Sequence, residues 1–390
     1  MTFLVDLGII TVSCLALGLA SKYLRQAAIP AYIIAGIILG KSGFDLISSY
    51  EFVQWLGKIG VILLMFYIGH EFNFKGIKEP GRVFAGCTDF FVNFIAGFSL
   101  GLLIGLSMLE AFILASAVYI SSSAIVISSL IENKRLIYPE AETVVWLMVF
   151  EDIILAILLV VLTSIMSGSL ATIPVCLAAT LLLIVFILVL IRRLSSFISP
   201  LFERDDEIPI LLIFALIFGF SAIAHLLNVS EVIVAFFLGS ALSGVKSFRK
   251  LFGATISFKN LFLTIFFFSF GMMFPLKFAV SADFVLALLA LITLSILGKF
   301  ASGALIGKRL YNSLETGLRI GAYTAPRGEF SIVLLAVALG MGTGISELLV
   351  SLVVAYVIIL SLIGSFFAGH GDRISKAMAG SIKHFMCVFS

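Results

Sequence analysis

The chain has 390 residues, of which 61% are apolar and only 12% are charged, with a formal net charge of +3 at pH 7. About a quarter of the residues in water-soluble domains are charged, so this composition excludes a soluble globular protein and indicates an integral membrane protein. The basic residues form no dense cluster, which argues against nucleic-acid binding. The four cysteines lie far apart without a CxxC pair, so they predict neither a disulfide framework nor a metal cluster, and no cofactor is expected.

Apolar segments long enough to cross a bilayer core of roughly 30 Å recur along the chain with short connections. We predict an all-α polytopic membrane protein with thirteen transmembrane helices. The first span lacks the basic start and the cleavage site of a signal peptide, so we expect it to be retained. Residues 1–369 are expected to form a single transmembrane unit, followed by a short cytoplasmic tail at 370–390. The predicted spans centre near Ile10, Ile34, Leu63, Ile95, Ser121, Asp152, Ile184, Ala215, Ala235, Phe266, Leu291, Pro326 and Val354.

The distribution of Lys and Arg predicts the orientation, because cytoplasmic loops carry the excess of positive charge. Nearly all basic residues fall in the connections that follow odd-numbered spans, and the C-terminal tail adds Arg373, Lys376 and Lys383. The N-terminus is therefore expected outside the cell and the C-terminus in the cytoplasm.

A weak internal duplication has a constant offset of about 200 residues. The segment 33–40 resembles 233–239, and the segment 62–72 resembles 264–274. The offset corresponds to seven spans, and an odd shift turns the second copy upside down, which predicts inverted repeats as in many transporters. The first repeat would cover about 1–165, a linking helix about 170–195, and the second repeat about 208–369. Chance similarity between glycine-containing apolar segments is the alternative.

The same shift relates two spans that contain helix-breaking or polar residues at their centres. The fifth span contains Ser121, Ser122 and Ser123, and the twelfth contains 325–329, which reads Ala-Pro-Arg-Gly-Glu. Pro lacks an amide hydrogen and Gly weakens a helix, so we expect both helices to unwind and to cross at mid-depth. Freed carbonyls and the three serine hydroxyls could then coordinate a dehydrated cation. Close helix packing by small residues is the alternative for the serine run.

Charged residues are expected at the same depth. Glu151 and Asp152 lie near the middle of the sixth span, and a charge there costs roughly 2.5 to 3.5 kcal/mol even on the lenient insertion scale. The two acids differ by about 100° around the helix, so they should have separate roles. We assign Asp152 to the cation and the proton in competition. Glu151 would pair with Lys299 or act as a second ligand, while Arg327 and Glu329 would neutralise helix ends and hold the crossing together.

Other polar residues are weaker candidates. His70 and Glu71 end the third span at the cytoplasmic side, where a helix C-terminus favours His, and a pH-sensing role is the alternative. Asp89 is compatible with either the bundle interior or the membrane interface. His225 and Glu231 are expected at the outer surface.

These residues together resemble the motifs of the monovalent cation:proton antiporter-2 family over nearly the whole chain. The resemblance is carried by 29–40, 66–72, 120–126, 150–152 and 327–331. It implies a thirteen-helix fold with a core domain of crossed helices, a dimerisation domain and elevator-like alternating access. It also implies that Asp152 is the ion-binding acid, that Ser122 and Ser123 lie in the first unwound stretch, and that Lys299 pairs with the acid before Asp152.

That preceding acid is Glu151, whereas sodium exchangers tend to carry Asp or Asn and glutathione-gated potassium systems carry Gln. The Glu-Asp pair is most similar to the membrane subunit of Kht-type potassium/proton antiporters, which implies a homodimer in the cell membrane and a separate soluble regulatory subunit. We therefore expect an antiporter, not an enzyme, that exchanges K⁺ for H⁺. A Na⁺/H⁺ antiporter of the same fold, a cation channel and a sodium-coupled symporter of organic anions are the alternatives.

Overall fold

The computed structural model describes residues 2–23, 28–71, 80–132, 134–135, 137–166, 173–204, 206–227, 229–245, 247–272, 281–341 and 344–389. The regular structure in these ranges is helical, which confirms the predicted all-α class. The helices are α1 (Thr2–Tyr23), α2 (Ala28–Leu39), α3 (Tyr50–Glu71), α4 (Pro80–Leu103), α5 (Met108–Tyr119), α6 (Ser123–Glu132), α7 (Pro139–Met166), α8 (Ile173–Phe202), α9 (Ile208–Leu226), α10 (Glu231–Leu242), α11 (Phe248–Met272), α12 (Ala282–Tyr311), α13 (Leu314–Tyr323), α14 (Glu329–Gly340), α15 (Glu347–Gly369) and α16 (Gly371–Phe389).

Eight of the described helices are long and apolar enough to cross a membrane, namely α1, α3, α4, α7, α8, α9, α12 and α15. Shorter apolar helices of 10–17 residues lie between them, including α2, α5, α10 and α14. The predicted tail is helical from Gly371, and α16 packs its Ala379 against Leu318 and Ala322 of α13. The helices therefore form a multi-pass membrane bundle with one further helix at its C-terminal end.

Several helix pairs pack backbone against backbone through glycine, among them α3 with α10 and α11 with α2. A Cβ atom built on Gly69 of α3 would lie 1.8 Å from the carbonyl oxygen of Phe236 in α10. A Cβ atom built on Gly271 of α11 would lie 2.1 Å from the carbonyl oxygen of Ile33 in α2. Only glycine permits this approach, and small residues at helix interfaces are the usual means of close packing in membranes. Both pairs involve the segments in which the duplication was predicted.

Two helices are interrupted near the predicted positions. The first interruption separates α5 from α6 between Tyr119 and Ser123, and the second separates α13 from α14 between Tyr323 and Glu329. The Ser122 amide donates a 2.9 Å hydrogen bond to the Pro326 carbonyl, so the two interruptions contact each other directly. The fold thus brings four helix ends to one point inside the bundle.

Candidate ion-binding site

Arg327 occupies the crossing of the two interrupted helices and is fully buried. Its Nε donates to the Val118 carbonyl at the end of α5 at 3.0 Å, and its Nη1 donates to the Thr324 and Ala325 carbonyls after α13, also at 3.0 Å. Its Nη2 donates to Ser295 Oγ of α12 at 2.9 Å. The last carbonyls of a helix lack intrahelical donors and carry partial negative charge. The guanidinium therefore caps two half-helix C-termini at once.

The predicted serines form a second set of links across the crossing. Ser121 Oγ lies 2.8 Å from the Thr324 carbonyl and 2.9 Å from Glu151 Oε1, and it donates its one proton to one of these acceptors. Ser122 Oγ donates to Glu329 Oε2 at 3.3 Å. Ser123 is half-buried at the start of α6. The side chains of Ser121 and Ser122 thus hold the two interruptions together.

Glu151 and Lys299 belong to a buried network of three charges. Lys299 Nζ of α12 donates to Glu151 Oε1 of α7 at 2.8 Å and to Asp89 Oδ2 of α4 at 2.7 Å. The residue exposures are 0% for Lys299 and 1% for each acid. Asp89 also accepts from Ser302 Oγ at 2.7 Å and from Asn93 Nδ2 at 3.0 Å. One ammonium therefore bridges two buried carboxylates, and the set carries a net charge of −1 when all three groups are ionised.

Asp89 was not assigned to the site from the sequence, although a signal was available. It follows the start of α4 at Pro80 by nine residues, and Lys299 precedes Lys308 by nine residues. At 1.5 Å per residue, Asp89 lies roughly 13 Å from the start of α4, and Lys299 lies roughly 13 Å from Lys308 in the last turn of α12. The sequence was compatible with Asp89 in the bundle interior or at the membrane interface, and in the structure Asp89 lies in the interior.

The two adjacent acids of α7 have different surroundings. Glu151 Oε2 accepts a hydrogen bond from the Ser121 amide and Oε1 accepts one from Lys299, so each of its two oxygens has a donor. Asp152 is half-buried and keeps part of its side chain accessible. The step of about 100° between consecutive helix residues turns the two carboxylates in different directions. Glu151 thus connects helices inside the bundle, whereas Asp152 is less deeply buried.

The weaker candidates lie elsewhere. His70 packs its ring edge-on against Phe248 at 4.8 Å, and the side chain of Glu71 lies outside the described residues. His225 Nδ1 lies 2.9 Å from Glu231 Oε1, which is also 3.9 Å from Lys58 Nζ. Cys14 and Cys87 are free thiols. In the part of the chain that the structure describes, His, Cys, Asp and Glu form no cluster suited to a tightly held metal.

Known proteins resemble this chain over most of its length. A family model described as "Sodium/hydrogen exchanger, transmembrane" matches residues 9–369. The K(+)/H(+) antiporter subunit KhtU of Bacillus subtilis (strain 168) is 33% identical over 368 residues, which cover 91% of this chain and 90% of that protein. The ammonium/H(+) antiporter subunit AmhT of Alkalihalophilus pseudofirmus (strain ATCC BAA-2126 / JCM 17055 / OF4) is 28% identical over 345 residues, which cover 85% of this chain and 86% of that protein.

The fold has a solved counterpart. The sodium proton antiporter MjNhaP1 from Methanocaldococcus jannaschii at pH 8 superposes with a TM-score of 0.68, covering 96% of this chain and 99% of that chain at 15% identity. At that identity the match establishes the fold alone. The family match and the relatives confirm the predicted resemblance, and they set aside the channel and symporter interpretations. The chain belongs to the sodium/hydrogen exchanger family, and it is a cation/proton antiporter of the cell membrane rather than an enzyme.

Proposed function

We propose that this antiporter exchanges K⁺ for H⁺ by alternating access, with the cation and the proton competing for Asp152. The observation that carries this proposal is the contrast along α7. Each carboxylate oxygen of Glu151 accepts from a buried donor, whereas Asp152, one residue further on, is only half-buried. A single carboxylate holds either a proton or a cation, so competition for it couples the two fluxes without any further group.

Glu151 and Asp152 therefore have different roles in this proposal. Glu151 supplies fixed negative charge beside the site, and its place as a direct ligand is secondary. The accessible lone pairs of Ser121, Ser122 and Ser123 and the carbonyls of the interruptions complete the coordination of an alkali cation at Asp152. The residues that we assign to charge pairing in the core of the bundle are Lys299, Arg327 and Glu329.

Two considerations favour K⁺. The relative with 33% identity is named for K⁺, and AmhT is named for ammonium, an ion of similar size to K⁺. A site formed from neutral oxygens and one carboxylate also suits a large, weakly hydrated ion. Na⁺/H⁺ exchange on the same fold remains the second candidate, because the family description names sodium.

The transmembrane arrangement belongs to the same proposal. If α5 with α6 and α13 with α14 each count as one interrupted span and α16 is left out, the described helices are consistent in number with the thirteen crossings that we propose. The close contacts of Gly69 with α10 and of Gly271 with α2 support inverted repeats at about 1–165 and 208–369, joined by a linking helix at about 170–195. The whole unit spans 1–369, with the N-terminus outside and the tail 370–390 in the cytoplasm.

The assembly we propose is a homodimer that works with a separate soluble regulatory subunit. KhtU and AmhT are both named as antiporter subunits, which supports a partner for this chain as well.

Purified protein in liposomes tests the exchange directly. A trapped pH dye reports proton movement when an outward gradient of K⁺, Na⁺ or Rb⁺ is imposed at zero membrane potential. We expect proton influx with K⁺ and Rb⁺, weaker influx with Na⁺, and none with Asp152→Asn that is folded by size-exclusion chromatography. Wild-type rates in Asp152→Asn would refute the assignment of the site, and a response to Na⁺ alone would refute the assignment of the ion.

A further inference from the structure

Arg319 of α13 joins three helices at the end of the bundle where the tail begins. Its Nη1 donates to Glu140 Oε1 of α7 at 2.6 Å, and its Nη2 donates to Glu315 Oε1 of α13 at 2.9 Å. Its Nε lies 3.0 Å from Asp372 Oδ1 of α16. Each of the three acids lies in the first turn of its own helix, where the helix dipole also favours a negative charge. One guanidinium therefore binds the N-terminal turns of α7, α13 and α16 together.

Asp372 has a second cationic partner at the same end of the bundle. Its Oδ2 forms an ion pair with Nη2 of Arg135, which follows the end of α6. The Arg135 guanidinium also lies over the ring of Tyr138, 4.7 Å from its centroid. The side chains of Asp372 and Arg135 are only 28% and 21% exposed, so water screens this ion pair incompletely. Asp372 therefore connects the tail helix α16 both to the end of α6 and to α13.

The contact between α13 and α12 is formed by glycine backbone. A Cβ atom built on Gly317 would lie 2.5 Å from the Gly303 carbonyl oxygen, and one built on Gly321 would lie 2.5 Å from the Lys299 carbonyl oxygen. Along this line the two helices do not interlock side chains, which is what fixes the register of most helix pairs. The position of α13 along its own axis therefore depends strongly on the polar contacts at its two ends.

The other ends of α6 and α13 lie at the crossing of the interrupted helices. The carbonyls of Thr324 and Ala325, which follow α13, accept hydrogen bonds from Arg327, and α6 begins at the residue after Ser122. Each of the two helices has ten residues and is roughly 15 Å long at 1.5 Å per residue. Because so short a helix moves as a rigid rod, an axial shift at the Asp372 end displaces the groups at the crossing.

We propose that Asp372 is a positioning residue of the cation site. Its ion pairs with Arg135 and Arg319 hold α6 and α13 at the axial position in which the groups at their inner ends can coordinate the cation. This inference rests on the proposed function, since it requires that the crossing holds the cation together with Asp152. It gives α16 a role in transport without any contact to the ion, because lifting α16 from the bundle would lower the affinity for the cation.

Exchange by purified protein in liposomes with a trapped pH dye, measured over a series of K⁺ concentrations, tests this role. Asp372→Asn removes the charge and keeps the shape of the side chain, whereas Asp372→Glu keeps the charge. We expect Asp372→Asn to raise the half-saturating K⁺ concentration about two- to fivefold, the range that partly exposed ion pairs can supply. Its maximal rate per folded protein should stay nearly unchanged, and Asp372→Glu should lie closer to wild type. Arg135→Gln removes one of the ion pairs from the other side and should also raise the half-saturating concentration.

Asp283→Asn is the matched control, since Asp283 is an exposed acid in the first turn of α12, at the opposite end of that helix from Lys308. This variant should keep the wild-type half-saturating concentration. If Asp372 only stabilises the fold, Asp372→Asn will lower the melting temperature and leave the half-saturating concentration of the folded protein unchanged, which would overturn the inference. A shift in Asp372→Glu as large as in Asp372→Asn would also overturn it, because the charge would then not matter.

Asp152→Asn in the same assay separates this inference from the proposed function. Exchange by Asp152→Asn at the wild-type rate would remove the site itself, whatever the Asp372 variants show. Loss of exchange in Asp152→Asn together with wild-type K⁺ dependence in Asp372→Asn would leave the proposed function in place and remove only the role of Asp372.

Discussion

Replacing Lys299 by methionine tests the buried charge network most severely. The substitution keeps an unbranched side chain that is one atom shorter and removes its charge, so Asp89 and Glu151 lose their common partner while both remain buried. Asp89 keeps its bonds from Ser302 and Asn93, but two carboxylates then face each other without a cation.

The cost follows from the geometry. Both carboxylate oxygens contact Lys299 Nζ, at 2.7 Å and 2.8 Å, so they lie at most the sum of these distances apart. Two unit charges about 5.5 Å apart repel each other by about 3 kcal/mol at an effective dielectric constant of 20. Removing one partner of a buried ion pair typically costs about 3–5 kcal/mol, which agrees with this value. Glu151→Gln should cost less, about 1.5–3 kcal/mol, because it leaves the Lys299–Asp89 pair balanced.

Thermal unfolding of each purified variant in detergent tests this predicted order of stability losses. We expect Lys299→Met to lower the melting temperature by roughly 5 °C or more. The double variants Lys299→Met/Asp89→Asn and Lys299→Met/Glu151→Gln should recover most of that loss, because each removes the repulsion. Lys308→Met is the matched control, since Lys308 is an exposed lysine near the end of the same helix.

Two results would refute this reasoning. One is a melting temperature for Lys299→Met equal to that of Lys308→Met, which would mean that the ammonium does not bridge buried charges. The other is a double variant less stable than Lys299→Met, which would mean that the two carboxylates do not repel each other.

Two further substitutions test the crossing of the interrupted helices. Gly328→Ala should abolish exchange, because a Cβ atom at this position would lie 2.5 Å from Ser122 Oγ. Gly340→Ala is the control and should transport normally, because a Cβ atom there meets nothing within 4 Å. Equal exchange rates of the two variants in liposomes would contradict the close contact at Gly328. Arg327→Lys should destabilise the protein by about 2 kcal/mol or more. The ammonium group cannot reach the carbonyls of both half-helices, and each buried carbonyl left without a donor costs about 1–3 kcal/mol. A wild-type melting temperature for Arg327→Lys would show that the guanidinium fork is dispensable.

The depth of the charged residues in the membrane was easier to predict from the sequence than the direction in which each side chain points. Rise per residue is a fixed property of the α-helix, so counting from helix ends placed Asp152 and Lys299 at one level. The face that each helix turns inward depends on packing partners distant in sequence. Gly86 of α4 illustrates this, because a Cβ there would lie 2.4 Å from the ring of Phe150 in α7. Without knowledge of that contact, Asp89 could not be directed toward Lys299.

The second interruption was predictable because Pro326 and Gly328 break a helix through local chemistry alone. The contacts of its residues were not predictable, since the hydrogen bond from Arg327 to the Val118 carbonyl joins residues 209 positions apart.

The competition between cation and proton at Asp152 is the central claim, and the pH dependence of the half-saturating K⁺ concentration tests it most directly. Exchange rates of the wild-type protein in liposomes would be measured over a series of K⁺ concentrations at several equal internal and external pH values. We predict that the half-saturating concentration rises as the pH falls, while the maximal rate extrapolated to saturating K⁺ remains nearly constant, because protons occupy the carboxylate that K⁺ needs. A half-saturating concentration that does not change with pH would contradict the account, since the two ions would then bind at separate groups.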